Sequence, residues 1–277
     1  MDGMVEMRQA VLIRPQWRDA PDGPPRDPRL LLAPLQYLTC RMPDPSVVQA
    51  FAAAESPWIV FTSPASVQAY ARWSDAHNIR WLCDPWVRIA AVGSGTRDEL
   101  VRVNEARKAK TQTAWSCAAE NVLVSAADEK ADAVSLLAAF DAEHDRVPFE
   151  WSAQTLFLVQ AVEHRPTLRN GLTDRGARVV ETVLYERQDV VWDESVWERL
   201  RACPWSDTGI VVTSSGLVDT LAAMFRAHGV PIGQLIWCTH HATIAQRLQA
   251  IGLASVRRVR LSPEHLTSDL FEHEILW

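Results

Sequence analysis

No run of apolar residues in this 277-residue sequence approaches the roughly 20 needed to span a bilayer, which excludes a helical membrane protein. Cysteine is sparse: Cys40, Cys83, Cys117, Cys203 and Cys238 are odd in number, widely spaced and without a CxxC pair. That pattern excludes a disulfide framework and a cysteine-based zinc site, and it points to reduced thiols. Positive charge is short as well. A formal net charge of −6 argues against a nucleic-acid binder, which would carry a basic footprint. Neither a Walker A sequence nor GxSxG occurs, so P-loop nucleotide chemistry and a serine-hydrolase elbow have no support. The opening MDGMVEMRQAVLIRP sets acidic residues before a very short apolar stretch. No secretory signal is expected there, and the expected location is the cytoplasm.

What is present is a globular composition, 48% hydrophobic and 22% charged, over a length comfortable for two domains. Short apolar runs alternate with helix-length segments. VLIRP (11–15), WIVFTS (58–63), VRIAAVG (87–93), ENVLVS (120–125), TLFLVQ (155–160), RVVETVLYE (178–186), GIVVTS (209–214) and QLIWCT (234–239) read as strands. SVQAYARWSDAH, GTRDELVRVNEARK, LVDTLAAMFRAH and HATIAQRLQAIG repeat apolar residues at helical spacing. Strands without polar alternation, separated by helices, indicate βα units and a mostly parallel sheet, so the expected class is α/β. The twelve tryptophans are expected mainly to fill core gaps.

A weak internal repeat divides the chain. FTSPASVQAYARW (61–73) aligns with VTSSGLVDTLAAMF (212–225), and each is followed by another strand entering a helix, at AAVGSGTRDEL and at IWCTHHATIAQRL. Two related lobes follow from this. APLQYLTC (33–40) and ETVLYERQ (181–188) are β-prone with polar residues interleaved, as exposed strands would be. Paired with each other, they would form a two-stranded linker with a cleft between the lobes. Lobe 1 would then comprise 1–35 plus 188–277 and lobe 2 would comprise 40–181, with linkers at 34–39 and 182–187.

Chemistry-bearing residues gather where strands give way to helices. At Thr62-Ser63 and Thr213-Ser214-Ser215 a hydroxyl can cap a helix, or the helix N–H groups can bind an anion. Gly93, Ser94 and Thr96 form another such turn, GSGT, which lacks the third glycine of a dinucleotide fingerprint. The carboxyl edge of an open α/β sheet is where ligands usually sit. His240 and His241 would point to opposite sides of a strand, and no third ligand accompanies them, so no metal is expected. Tyr185, one of three tyrosines, lies in the predicted linker and could donate a proton.

In order, these segments resemble the uroporphyrinogen-III synthase family over nearly the whole chain. The resemblance is carried by VLIRP, PLQYLT (34–39), WIVFTSPASV (58–67), VGSGTRDEL (92–100), RPTLRNGLTDRGARVV (165–180), VLYERQ (183–188), VVTSSGLV (211–218) and HATIAQRLQAIG (241–252). The sequence departs from the pattern at WRDAPDGPPRDP (17–28), where the family has a helix, and after TLFLVQAVEHR, where the Arg-Gly turn is reduced to Arg165. Near the end Thr243 matches a position often hydroxylated in the family, Ile244 follows it, and His241 stands where serine or glycine is common.

The resemblance implies that the substrate is hydroxymethylbilane, cyclised to uroporphyrinogen III with one ring inverted, loss of water and no cofactor. Tyr185 would be the general acid. Arg14, Thr62, Ser63, Gly93, Ser94, Thr96, Arg165, Thr213, Ser214, Ser215 and Thr243 would hold the substrate's carboxylates. It further implies a monomer in transient contact with the preceding deaminase. A non-catalytic tetrapyrrole- or anion-binding module on the same fold is the alternative.

Overall fold

A computed structural model describes residues 7–19, 27–110, 113–125, 132–240, 242–253, 255–259 and 270–271. The chain divides into two compact units, residues 1–38 with 188–277 and residues 39–187.

The first unit holds a five-stranded parallel sheet. Its strands are β1 (Gln9–Ile13), β3 (Leu30–Leu32), β10 (Thr208–Val212), β11 (Ile236–Thr239) and β12 (Val256–Arg258), in the order β12-β11-β10-β1-β3. Every residue of β1, β10 and β11 is buried, as expected of strands covered on both faces. Helices α6 (Glu194–Arg201), α7 (Val218–Ala227) and α8 (Ala242–Ala250) belong to this unit. Trp192, Trp197, Phe225 and Trp237 pack against one another in one core cluster, with Phe225 edge to face on Trp192 and Trp197.

The second sheet has the order β2-β4-β9-β8-β5-β6-β7. Its strands are β2 (Gln16–Trp17), β4 (Gln36–Cys40), β5 (Pro57–Phe61), β6 (Arg88–Ala91), β7 (Val122–Val124), β8 (Thr155–Ala161) and β9 (Arg178–Asp189). From β9 to β7 the neighbours run parallel. β4 and β9 carry the chain from one unit to the other. They pair antiparallel, with the Arg41 amide donating to Leu184 and the Val190 amide donating to Leu35. They are only partly exposed, as their polar residues suggested: Cys40, Arg187, Gln188 and Asp189 are exposed, whereas Leu38, Thr182, Leu184 and Tyr185 are buried.

Helices α1 (Pro45–Ala52), α2 (Pro64–His77), α3 (Ser94–Ala109), α4 (Ala133–Arg146) and α5 (Thr167–Asp174) belong to the second unit. Phe51 stacks on Trp81 at 4.1 Å, and both meet Phe157 of β8. On the opposite face Leu136 and Phe140 of α4 and Leu168 and Leu172 of α5 cover Leu156 and Leu158. The α5–β9 turn depends on Gly176, whose φ of +94° lets its amide reach Thr173 and the Ala177 amide reach Leu172. This is the glycine-terminated helix end that the sequence RGARVV suggests.

The predicted strands all form, shifted by one to three residues, and the α/β class holds. Eight tryptophans are buried (Trp17, Trp58, Trp73, Trp81, Trp115, Trp192, Trp197 and Trp237), as their expected core role requires. One prediction fails: β11 ends at Thr239, so His240 lies on the bend beyond the strand, and His241 is outside the described residues. Part of the Pro-rich stretch also lies outside them, at residues 20–26. Among the described residues no helix is long and apolar enough to cross a membrane.

Candidate functional site

In the second unit Thr62, Ser63 and Tyr185 meet at the carboxyl ends of β5, β8 and β9. Tyr185 is 0% exposed, and its phenolic oxygen lies 3.0 Å from Ser63 Oγ. A break in register aims it there. Val159 pairs with Thr182 and Gln160 with Val183, but Ala161 pairs with Tyr185, which leaves Leu184 as the extra residue of a bulge. In an unbroken ladder Tyr185 would project from the other face of the sheet. The Val162 amide donates to the Tyr185 carbonyl at 2.9 Å and fixes the strand just past the bulge.

Ser63 opens α2 with a capping box. Its Oγ accepts from the Ser66 amide at 3.2 Å, and Ser66 Oγ accepts from the Ser63 amide at 3.1 Å. Pro64, next in the chain, has no N–H to offer. The box engages the Ser63 and Ser66 amides and the proline has none, so the first turn of α2 has fewer free donors than an uncapped helix start. The N-terminus of α3 differs. Gly93 caps it without a side-chain hydrogen bond, and Ser94 and Gly95 follow at a partly open surface. Thr96 is 5% exposed and its amide donates to the Gly93 carbonyl.

Thr62 and Thr213 do the same work in the two halves of the repeat. The amide and hydroxyl of Thr62 both donate to the Val159 carbonyl, at 3.4 and 3.0 Å. Those of Thr213 both donate to the Ile13 carbonyl, at 3.2 and 3.1 Å. Each threonine ties its strand's end to the neighbouring strand. Thr239, which sequence reasoning missed, does so a third time by donating to Val212 at 2.9 Å. Beyond the threonines the repeat diverges. Ser214 enters α7 through a short 3-10 turn without a side-chain cap, and Ser215 is exposed. Arg14 is half-buried just after β1, Arg165 is exposed after β8, and Thr243 is exposed in the first turn of α8.

Two features of the Tyr185 edge went unpredicted. Arg187 donates to the Tyr185 oxygen at 3.2 Å; it lies two residues further along β9, a spacing that on a strand returns to the same face. On the other face His164 Nε2 lies 2.8 Å from Glu181, which also accepts from Gln160 at 3.1 Å. His164 Nδ1 faces the Ala161 and Val162 carbonyls, so this cluster pins the loop after β8 to β9. A polar cavity of about 280 Å³, bounded by Asp75, Asn78, Arg80, Cys83 and Arg107, sits at the far end of α2 and includes none of the predicted site residues. Among the described residues no group of three or more His, Cys, Asp or Glu side chains could hold a metal ion.

A protein of two parallel α/β units, with hydroxyl side chains closing the carboxyl edges of both sheets and a buried tyrosine on the strand that joins them, is the class defined so far. The sequence matches the family described as Uroporphyrinogen-III synthase HemD over residues 30–268, and the chain belongs to that family. Two solved structures share its fold. A mutant uroporphyrinogen III synthase from Thermus thermophilus is 16% identical, with a TM-score of 0.52 over 95% of this chain and 96% of that one. A uroporphyrinogen-III synthetase from Helicobacter pylori is 16% identical, with a TM-score of 0.51 over 93% of this chain and 95% of that one. A comparison with curated proteins finds no match.

Proposed function

We propose that this chain is a uroporphyrinogen-III synthase: it cyclises hydroxymethylbilane with inversion of the last ring and loss of water, and Tyr185 is the proton donor. Membership of the family supports the reaction. The observation that carries the residue assignment is the Tyr185 hydroxyl, held between Ser63 and Arg187 at the carboxyl edge of the sheet. The reaction asks little else of side chains. The electron pair of a pyrrole nitrogen expels the terminal hydroxyl, which leaves as water once it has taken a proton. The azafulvene so formed is attacked by the substituted carbon of the last ring. The resulting spiro intermediate then fragments and recloses with that ring turned over. No electron is gained or lost overall, so no redox cofactor is called for.

Uncatalysed closure gives the unflipped isomer, so the protein's larger task is to hold the bilane curled. Its carboxylates are assigned to the N-terminus of α3 at Gly93, Ser94 and Thr96, to Ser214 and Ser215, to Thr243, and to Arg14 and Arg165. Ser63, Thr62 and Thr213 support the substrate by fixing the strand ends and Tyr185, because their protons are already engaged or their caps filled. The site of action is assigned to the cytoplasm, with the chain acting as a monomer and receiving the bilane from the preceding deaminase. Isomer analysis of the porphyrins formed from the bilane, with and without the protein, tests the activity.

A further inference from the structure

Arg187 bridges two groups at the Tyr185 edge. Its Nη2 donates to the phenolic oxygen at 3.2 Å, and its Nη1 donates to the Glu163 carbonyl at 3.3 Å. The guanidinium carbon lies 5.5 Å from the centre of the Tyr185 ring. The residue is otherwise exposed, so a charged fork at the surface reaches an oxygen that is itself buried. Its second bond fixes the fork to the loop after β8, the same loop that His164 and Glu181 pin from the other face.

The hydrogen-bonding capacity of each group defines what Arg187 can do for the tyrosine. A phenol carries one proton and two lone pairs, and a guanidinium only donates. Arg187 therefore fills one lone pair of the Tyr185 oxygen. Ser63 Oγ accepts from the Ser66 amide and lies 3.0 Å from the Tyr185 oxygen, a contact in which either hydroxyl can donate. A positive charge within hydrogen-bond distance of the phenolic oxygen favours its deprotonated form.

We propose that Arg187 is a positioning residue for proton transfer from Tyr185, with Ser63 as its counterpart. This rests on the synthase reading given above. In the step, the O–H bond of Tyr185 breaks and the proton joins the departing hydroxyl, which leaves as water with the electrons of its C–O bond. The pyrrole nitrogen supplies the pair that replaces them. The phenolate is met by the Arg187 cation and the Ser63 hydroxyl, both already in place, so no reorganisation is needed as the charge develops. The last ring loses one proton as the macrocycle closes, and that proton restores the phenol.

The test is the kinetics of isomer III formation from freshly generated hydroxymethylbilane, using the full chain and its R187Q, R187K, Y185F and Y185F/R187Q variants, each checked by thermal melting. For R187Q the expected result is a fall in kcat of about ten- to a hundredfold, with KM little changed, because Arg187 acts on the transition state through Tyr185. R187K restores part of the loss, since it keeps the cation without the fork. The double variant is no slower than Y185F alone, because both changes remove one device. Should R187Q fail to fold, R187K and Y185F/R187K carry the same comparison. Wild-type kcat in R187Q, or a double variant whose loss is the product of the two single losses, overturns the role of Arg187 while the synthase activity stands. A wild-type chain that makes no isomer III overturns the activity and this role together.

Discussion

Ser63 Oγ and the Tyr185 hydroxyl meet at 3.0 Å although 122 positions separate them in the chain. One belongs to the cap of a helix and the other to a strand that leaves its unit, and the bulge at Leu184 is what lets them touch. The contact joins a stability device to the proposed chemistry, so the two effects need to be separated by experiment.

Tyr185→Phe is expected to lower kcat for isomer III by about a hundredfold or more, the usual range for losing a general acid. The ring remains packed, so the thermal midpoint should move little. Steady-state kinetics with a parallel melt provide the check. Undiminished turnover in folded protein would remove Tyr185 from the mechanism.

Ser63→Ala should act on both counts. It removes the α2 cap, which costs about 1 kcal/mol of stability, and it takes one partner from the Tyr185 oxygen. Ser63→Asn keeps a capping side chain but supplies no hydroxyl. Denaturant titration should therefore rank wild type close to S63N and above S63A, while turnover falls in both variants.

Thr182 offers a change in the opposite direction. Its side chain is fully buried on β9, and its hydroxyl has no hydrogen-bond partner among the described residues. Valine keeps the shape and removes the unsatisfied group, so Thr182→Val should raise stability by about 1 kcal/mol. A destabilised variant would mean that the hydroxyl has a partner in solution.

Alkaline pH should weaken the fold through two thiols. Burial pushes Cys117 up to about 11 and Cys238 up to about 12, from an ordinary value of 9.0. The folded state thus favours the neutral thiols, while unfolding lets them ionise. Their contribution is complete below about pH 9 and is lost as pH climbs through the two raised values. Denaturant midpoints measured across this range should fall with pH, and replacing both residues with alanine should flatten the slope.

Much of the fold could be read from the sequence because most central strands declare themselves by short apolar runs, as WIVF and GIVV do, followed by helical spacing. Gly176 announced its turn equally well, since a helix end followed by a left-handed residue favours glycine. The edge was only half legible. Thr62 and Ser63 are adjacent hydroxyls, yet one ties a strand and the other caps a helix; backbone direction at the strand end decides this, and composition does not record it. The bulge left no trace either, because a one-residue slip changes the register without changing the pattern of residue types. Arg187 was within reach, since a period of two along β9 sets it beside Tyr185. Its anchor on the Glu163 carbonyl was not, because backbone acceptors have no sequence signature. The two-residue strand at Gln16–Trp17 was hidden in a segment whose prolines and aspartates read as irregular.

The most direct measurement is the isomer composition of porphyrins formed when freshly generated hydroxymethylbilane is incubated with and without the purified chain, followed by oxidation and chromatography. Predominantly isomer III with the protein, against isomer I without it, is the predicted result. Isomer I in both samples, from protein that melts cooperatively, would contradict the assignment of synthase activity to this fold.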